Sequence, residues 1–150
     1  MDLRTHRTSL FANLSQPDTI HDFFDRVAED VTWTVEGVHP IAGTYTSKAE
    51  FLRATFDRLT PLMREGIHLE LDTIVIDGTT VVAELQTNST TLDGSPYDYR
   101  LCWVCTFEGD EPGDKIVAVR AYLDSTTVTW TILRNEAILR AAAGRSAGQP

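Results

Sequence analysis

Apolar positions along this chain recur with two periods, first that of a helix and then that of a strand. Leu10, Phe11 and Leu14 share one helical face within residues 5–14, and a turn at Ser15-Gln16-Pro17 closes the segment. Asp18 is placed to cap a second helix, along which Ile20, Phe23, Phe24 and Val27 keep the i, i+3, i+4, i+7 spacing while Asp25, Arg26 and Glu29 face water. Residues 31–35 alternate apolar with polar side chains, most of them β-branched, as a strand with one buried face does. After a loop over residues 37–46, Ser47-Lys48-Ala49-Glu50 reads as a capping box that opens a third helix, lined by Phe51, Leu52, Phe56, Leu59 and Met63. Pro61 lacks a backbone N–H, so an end or kink is expected there.

Beyond residue 66 the period becomes two. The runs 67–77, 80–91, 97–108 and 115–124 are separated by turns at Asp77-Gly78 and Asp93-Gly94-Ser95-Pro96 and by a Gly/Asp/Pro loop, which predicts an antiparallel meander. A terminal helix over residues 126–142 follows, and residues 144–150 read as a disordered tail, leaving one domain over residues 1–143. This order of elements predicts the α+β class: a strongly twisted, curved antiparallel sheet wrapped as a cone on three N-terminal helices. A cone of that kind leaves a small-molecule cavity between helix and sheet.

Composition narrows the partners. Thirteen Lys and Arg against 22 Asp and Glu give a net charge of −9 with no basic patch, so nucleic acid and anionic membranes are not expected to bind. The apolar runs fall short of the roughly 20 residues that span a bilayer, and the N-terminus shows no apolar signal segment; a cytoplasmic protein is expected. Cys102 and Cys105 form a C-x-x-C, but on a strand positions three apart face opposite sides and cannot share a metal or a disulfide. With no second Cys or Cys/His pair to complete a site, neither a metal nor another cofactor is expected.

Three segments carry a family resemblance: Asp30-Val31-Thr32-Trp33, the stretch His39-Pro40-Ile41-Ala42-Gly43-Thr44-Tyr45, and the final strand from Lys115 to Asp124. With the element order they make residues 5–130 resemble the nuclear transport factor 2-like superfamily, and within it the SnoaL-like and ketosteroid-isomerase-like proteins. The resemblance implies fold more sharply than activity, because the superfamily hosts isomerases, cyclases, dehydratases, epoxide hydrolases and binding domains. A ketosteroid-isomerase-like site needs a carboxylate base, a tyrosine and a protonated acid, yet those positions fall on Val35 (or Glu36 with a gap), Leu10 and Trp103. An epoxide-hydrolase-like site needs an Arg between two Asp and a water-holding Tyr and Asn, where Leu85, Thr87, Ala121, Trp33 and Val35 stand.

The same alignment implies the phase of the strands. Trp33, Val35, Leu85, Thr87, Leu101, Trp103, Cys105, Val119, Ala121 and Leu123 are expected to face the pocket and bind substrate. Thr32, Thr34, Glu84, Gln86, Arg100, Arg120, Tyr122 and Asp124 are expected outside, and a slip of one residue would exchange the two sets. His39, in a loop at the cone mouth, Tyr45 and Asp124 are the candidate proton carriers. Each also has a structural reading: a backbone hydrogen bond for His39, ring packing for Tyr45, and a cap on the terminal helix for Asp124. Trp33 and Trp103 could sandwich a flat ligand or fill the core. Tyr97 and Tyr99 read as rim or dimer-contact residues, and His6, His21 and His68 as surface positions.

The expectation is therefore a cofactor-independent isomerase, cyclase or dehydratase acting on a small apolar organic molecule of polyketide or terpenoid character. The alternative is a non-catalytic binding or dimerisation domain of the same fold. A homodimer through the outer sheet face, bearing Arg100, Arg120 and Tyr122, goes with either.

Overall fold

The computed structural model describes residues 2–147. Asp2 accepts a hydrogen bond from Thr5 N–H at 2.8 Å and so caps helix α1 (Leu3–Ala12), and a 3-10 turn over Asn13–Ser15 carries Leu14 into the core. Helix α2 (Ile20–Phe24) is shorter than its apolar spacing predicts, because Val27 opens strand β1 (Val27–Val35) and pairs with Ile116. A buried position seven residues into a pattern suits either element; the strand partner decides it.

Strand β2 (Gly43–Tyr45) lies within the expected loop and pairs antiparallel with β1. Ser47 accepts from Glu50 N–H at 3.1 Å and opens α3 (Lys48–Ala54), while the Glu50 carboxylate reaches back to Thr46 N–H at 3.3 Å. The third helix breaks at Thr55, ahead of Pro61, and resumes as α4 (Phe56–Leu59) and a 3-10 turn over Thr60–Leu62. At the break the Thr55 hydroxyl donates to the Phe51 carbonyl at 2.7 Å.

The sheet is completed by β3 (Leu69–Asp77), β4 (Thr80–Thr87), β7 (Arg100–Phe107) and β8 (Ile116–Tyr122), with a separate short hairpin of β5 (Ser89–Thr90) and β6 (Pro96–Tyr97). Its order is β2-β1-β8-β7-β4-β3. The meander is antiparallel as predicted, but β1 joins β8 in parallel, so the whole sheet is mixed rather than purely antiparallel. The alternation holds in the expected phase: along β4 and β7 the odd-numbered side chains are buried and the even-numbered ones lie at the outer face. Cys105 is accordingly buried and Cys102 only partly so, and both thiols are free.

Asp124 accepts from Thr127 N–H at 3.0 Å at the start of α5 (Ser125–Ala147). The helix continues past residue 144, where the sequence suggests a disordered tail; residues 148–150 of that tail lie outside the described residues. No helix among the described residues is long and apolar enough to cross a membrane.

One charged side chain is built into the core. Arg7 is 2% exposed, its guanidinium 3.6 Å from the centroid of the Phe107 ring. It donates to the carbonyls of Gly109 and Glu111, both at 3.3 Å, and of Pro112 at 3.5 Å. Arg26 reaches the same segment, donating to Pro112 at 2.6 Å and Asp114 at 3.0 Å, so two arginines hold the β7–β8 loop onto α1 and onto the turn between α2 and β1.

Candidate functional site

The strand register explains where space is left. Val35, Ala121, Trp103 and Ala83 lie side by side across β1, β8, β7 and β4. Ala121 in this row leaves room beside the Trp103 ring and lines the space, whereas Ala83 does not reach it; of the neighbouring row of Trp33, Val119, Cys105 and Val81, Trp33 alone lines it. A cavity of about 50 Å³ results. The sheet side is Trp33, Val35, Leu69, Thr87, Leu101, Trp103 and Ala121; the helix side is Phe51, Thr55, Phe56 and Leu59; Ile41, Ile67, Tyr97, Tyr99 and Leu123 close it.

Phe56 and Ile67 also line a neighbouring groove of about 520 Å³, between α2 and α3, that reaches Ile20, Phe24 and Lys48. Sites for drug-sized ligands run to roughly 300–1,000 Å³. The inner cavity reaches that range only when joined to the groove, and the shared Phe56 and Ile67 are the wall between them.

Polar groups in this cavity are few. The Thr55 hydroxyl is held by Phe51, and that of Thr87 both accepts from Tyr99 N–H at 2.8 Å and donates to the Tyr99 carbonyl at 3.1 Å. The Tyr97 and Tyr99 hydroxyls lie 3.0 Å apart with their rings edge to face. One hydroxyl donates to the other, so one O–H proton of the pair remains to be given elsewhere. Burial pushes the Tyr97 phenol up to about 12; burial, then the neighbouring Tyr97, holds Tyr99 well above the usual tyrosine value, and Asp124 adds to both. Both are neutral proton donors at physiological pH.

The shift fixes a pH dependence. A tyrosine whose pKa is higher folded than unfolded leaves stability intact below about pH 10, where both states are protonated, and erodes it as the unfolded chain ionises first. Alkaline unfolding followed by circular dichroism is therefore expected to lose about 2–3 kcal/mol between pH 10 and 12 from Tyr97 alone. Tyr97→Phe should flatten that slope, and an unchanged slope would contradict the burial of the phenol.

The expected site residues separate into two groups. Trp33, Val35, Thr87, Leu101, Trp103, Ala121 and Leu123 line the cavity, whereas Leu85, Cys105 and Val119 are buried in the core without reaching it. None of the three expected proton carriers is among the lining residues. Ile41 N–H donates to His39 Nδ1 at 3.3 Å, which places the ring proton on Nε2, where it is given to the Glu36 carbonyl at 2.8 Å; both nitrogens are occupied by the loop. The Tyr45 hydroxyl donates to the Ile41 carbonyl at 2.8 Å, and Asp124 caps α5. The sequence reading missed the tyrosine pair, although Tyr97 and Tyr99 share the odd parity of Leu101, Trp103 and Cys105. No three His, Cys, Asp or Glu side chains come together as metal ligands among the described residues.

Comparison with known proteins agrees with this architecture. An NTF2-like protein from Burkholderia thailandensis E264 superposes with a TM-score of 0.70 at 23% identity, over 88% of this chain and 98% of that one. The structure of TerC co-crystallised with polyporic acid superposes with a TM-score of 0.64 at 18% identity, over 85% of this chain and 97% of that one. At such identities the likeness shows the fold alone. The dimerizing cyclase phiC of a fungal species (strain ATCC 74256) is 28% identical over 133 residues, covering 85% of this chain and 55% of phiC, so the chain spans about half the length of that relative. The family model described as the SnoaL-like domain matches residues 8–119. With most of its length matched, the chain belongs to the SnoaL-like domain family.

Proposed function

We propose that the chain is a cofactor-independent cyclase-type enzyme that closes a ring in a small apolar organic molecule, of polyketide or terpenoid character, held in the cavity between α3, α4 and the sheet together with the adjoining groove. The observation that carries this reading is the pair of neutral phenols, 3.0 Å apart, in an otherwise apolar enclosure. Within the broader isomerase, cyclase and dehydratase range, ring closure fits best. No carboxylate or imidazole lines the inner cavity, whereas His21, Asp25, Asp57 and Glu65 line the adjoining groove, so the inner cavity itself provides no base for abstracting a carbon-bound proton. Holding a flexible chain in its reactive conformer needs no base and can lower a barrier by roughly 7 kcal/mol or more in favourable cases. A phenol hydrogen-bonded to a substrate carbonyl adds electrophilic activation, and the dry wall strengthens that bond. The 28% identity to a cyclase supports the same choice.

The test is a flexible apolar trienone, 1,7,9-decatrien-3-one, whose intramolecular cycloaddition forms two carbon–carbon bonds without moving a proton. Closure at least about tenfold faster with the protein than in buffer is expected, a modest share of what such confinement supplies. Binding without acceleration would instead favour a non-catalytic ligand carrier, the reading that the absent base also favours.

A homodimer through the outer sheet face remains part of the proposal. Tyr122 there is 45% exposed, and Arg100 pairs with Asp72 at 2.7 Å. More exposed hydrophobic side chains, Trp130 and Leu133, lie on α5. Sedimentation equilibrium at micromolar concentration is expected to give twice the chain mass, and Tyr122→Glu the chain mass; a dimer broken by Trp130→Glu instead would move the interface to α5.

A further inference from the structure

The indole N–H of Trp33 is the one buried side-chain polar atom without a hydrogen-bond partner among the described residues. Trp33 is 0% exposed and belongs to the cavity wall. Its ring is stacked on Phe51 at 3.8 Å and 15°, set edge to face with Trp103 at 5.0 Å and tilted on Phe24 at 6.1 Å, so it cannot turn its nitrogen out to water. A buried donor left unmade costs about 1–3 kcal/mol, which phenylalanine in the same aromatic cluster would avoid.

Building on the reading of this cavity as a ligand site, we propose that Trp33 Nε1–H is a ligand-binding donor. The molecule the cavity takes then carries a carbonyl oxygen to accept it, as a ketone, an enone or a quinone does. The inventory of the wall points the same way. Indole N–H only donates, the tyrosine pair has one O–H proton to give, and the Thr55 and Thr87 hydroxyls are already engaged. The hydroxyl oxygens can also accept, but the indole can only donate, so it selects an acceptor oxygen and is left unpaired by a plain hydrocarbon. The specificity therefore lies in the oxygen, whereas the rest of the molecule is recognised by shape.

The experiment compares 1-indanone with indane, which differ by the carbonyl oxygen, on the ¹⁵N-labelled chain. Titration is followed at the indole N–H signals of its three tryptophans. The Trp33 signal, assigned by its loss in Trp33→Phe, is expected to move with 1-indanone and not with indane. The ketone should bind roughly tenfold more tightly, and that preference should vanish in Trp33→Phe while indane binding persists. The wild-type titration reads the same contact if the substituted chain does not fold. Equal binding of the two compounds, or a ketone preference that survives Trp33→Phe, overturns the inference alone and leaves the cavity as a ligand site. Equal binding is also the result if the N–H is already spent on the face of the Trp103 ring. Failure of both compounds to bind removes the inference and the ligand-site reading together.

Discussion

Removing both cavity phenols, as Tyr97→Phe with Tyr99→Phe, is expected to slow closure of the trienone by roughly 10²-fold, the usual cost of losing a preorganised donor to a carbonyl oxygen. Either single change should cost less, because the remaining phenol still has a proton to give once its neighbour no longer accepts it. The double variant loses two oxygens and no ring, so the aromatic packing is retained and the loss should appear in kcat more than in KM. His39→Ala and Asp124→Asn are expected to stay near the wild-type rate: the imidazole is bound by its own loop, and asparagine can still cap α5. A rate that collapses with His39→Ala and survives loss of both phenols would transfer the chemistry to the loop and end the tyrosine assignment.

The largest effect on stability is expected at Arg7. Truncation to alanine removes a cation stacked on Phe107 and leaves the Gly109 and Glu111 carbonyls without their donor, while Pro112 keeps the one from Arg26. The summed cost is about 3 kcal/mol, which in a domain this size lowers Tm by roughly 10 °C. Arg7→Lys should recover part of it, because an ammonium keeps the charge but cannot reach three carbonyls in one plane. Calorimetry reads the result directly. A shift under about 2 °C for the alanine variant would mean that water replaces the guanidinium and that the loop does not depend on it.

The alternation of β4, β7 and β8 was legible because residues 81–85, 101–107 and 119–121 each repeat an apolar odd position, and a one-residue slip would have turned Trp103 and Leu85 to the outside. Tyr97 and Tyr99 share that odd numbering, but the strand breaks at residues 98–99 and Tyr97 belongs to the separate β6, so the alternation of β7 does not by itself reach them. What obscured them was the nearby Asp93-Gly94-Ser95-Pro96 turn, which makes polar aromatics look like rim residues. The end of α2 was less legible, since Val27 satisfies a helical spacing while its actual partner, Ile116, lies far along the chain. The parallel pairing of β1 with β8 escaped for the same reason: local periodicity carries no information about which distant strand is the neighbour. Arg7 was hidden more completely. A lone arginine on an amphipathic helix reads as solvated, and only the return of the β7–β8 loop over Phe107 makes it a core residue. His39 was attractive as a residue type, and its two backbone bonds depend on a loop conformation that composition does not specify.

The position of β8 in the sheet has a consequence for how the protein is made. This strand, among the last elements in the chain, sits between β1 and β7 and is the seam that joins the early part of the sheet to the meander. Until residues 116–122 have left the ribosome, β1 and β7 each present an open edge, and neither half can bury its aromatic face against the other. Synthesis therefore passes through an interval of about 1–4 s, while residues 104–122 are added, in which Trp33 and Trp103 are exposed together on an incomplete sheet. Insertion of β8 is the step that closes both edges and ends the exposure of this aromatic face.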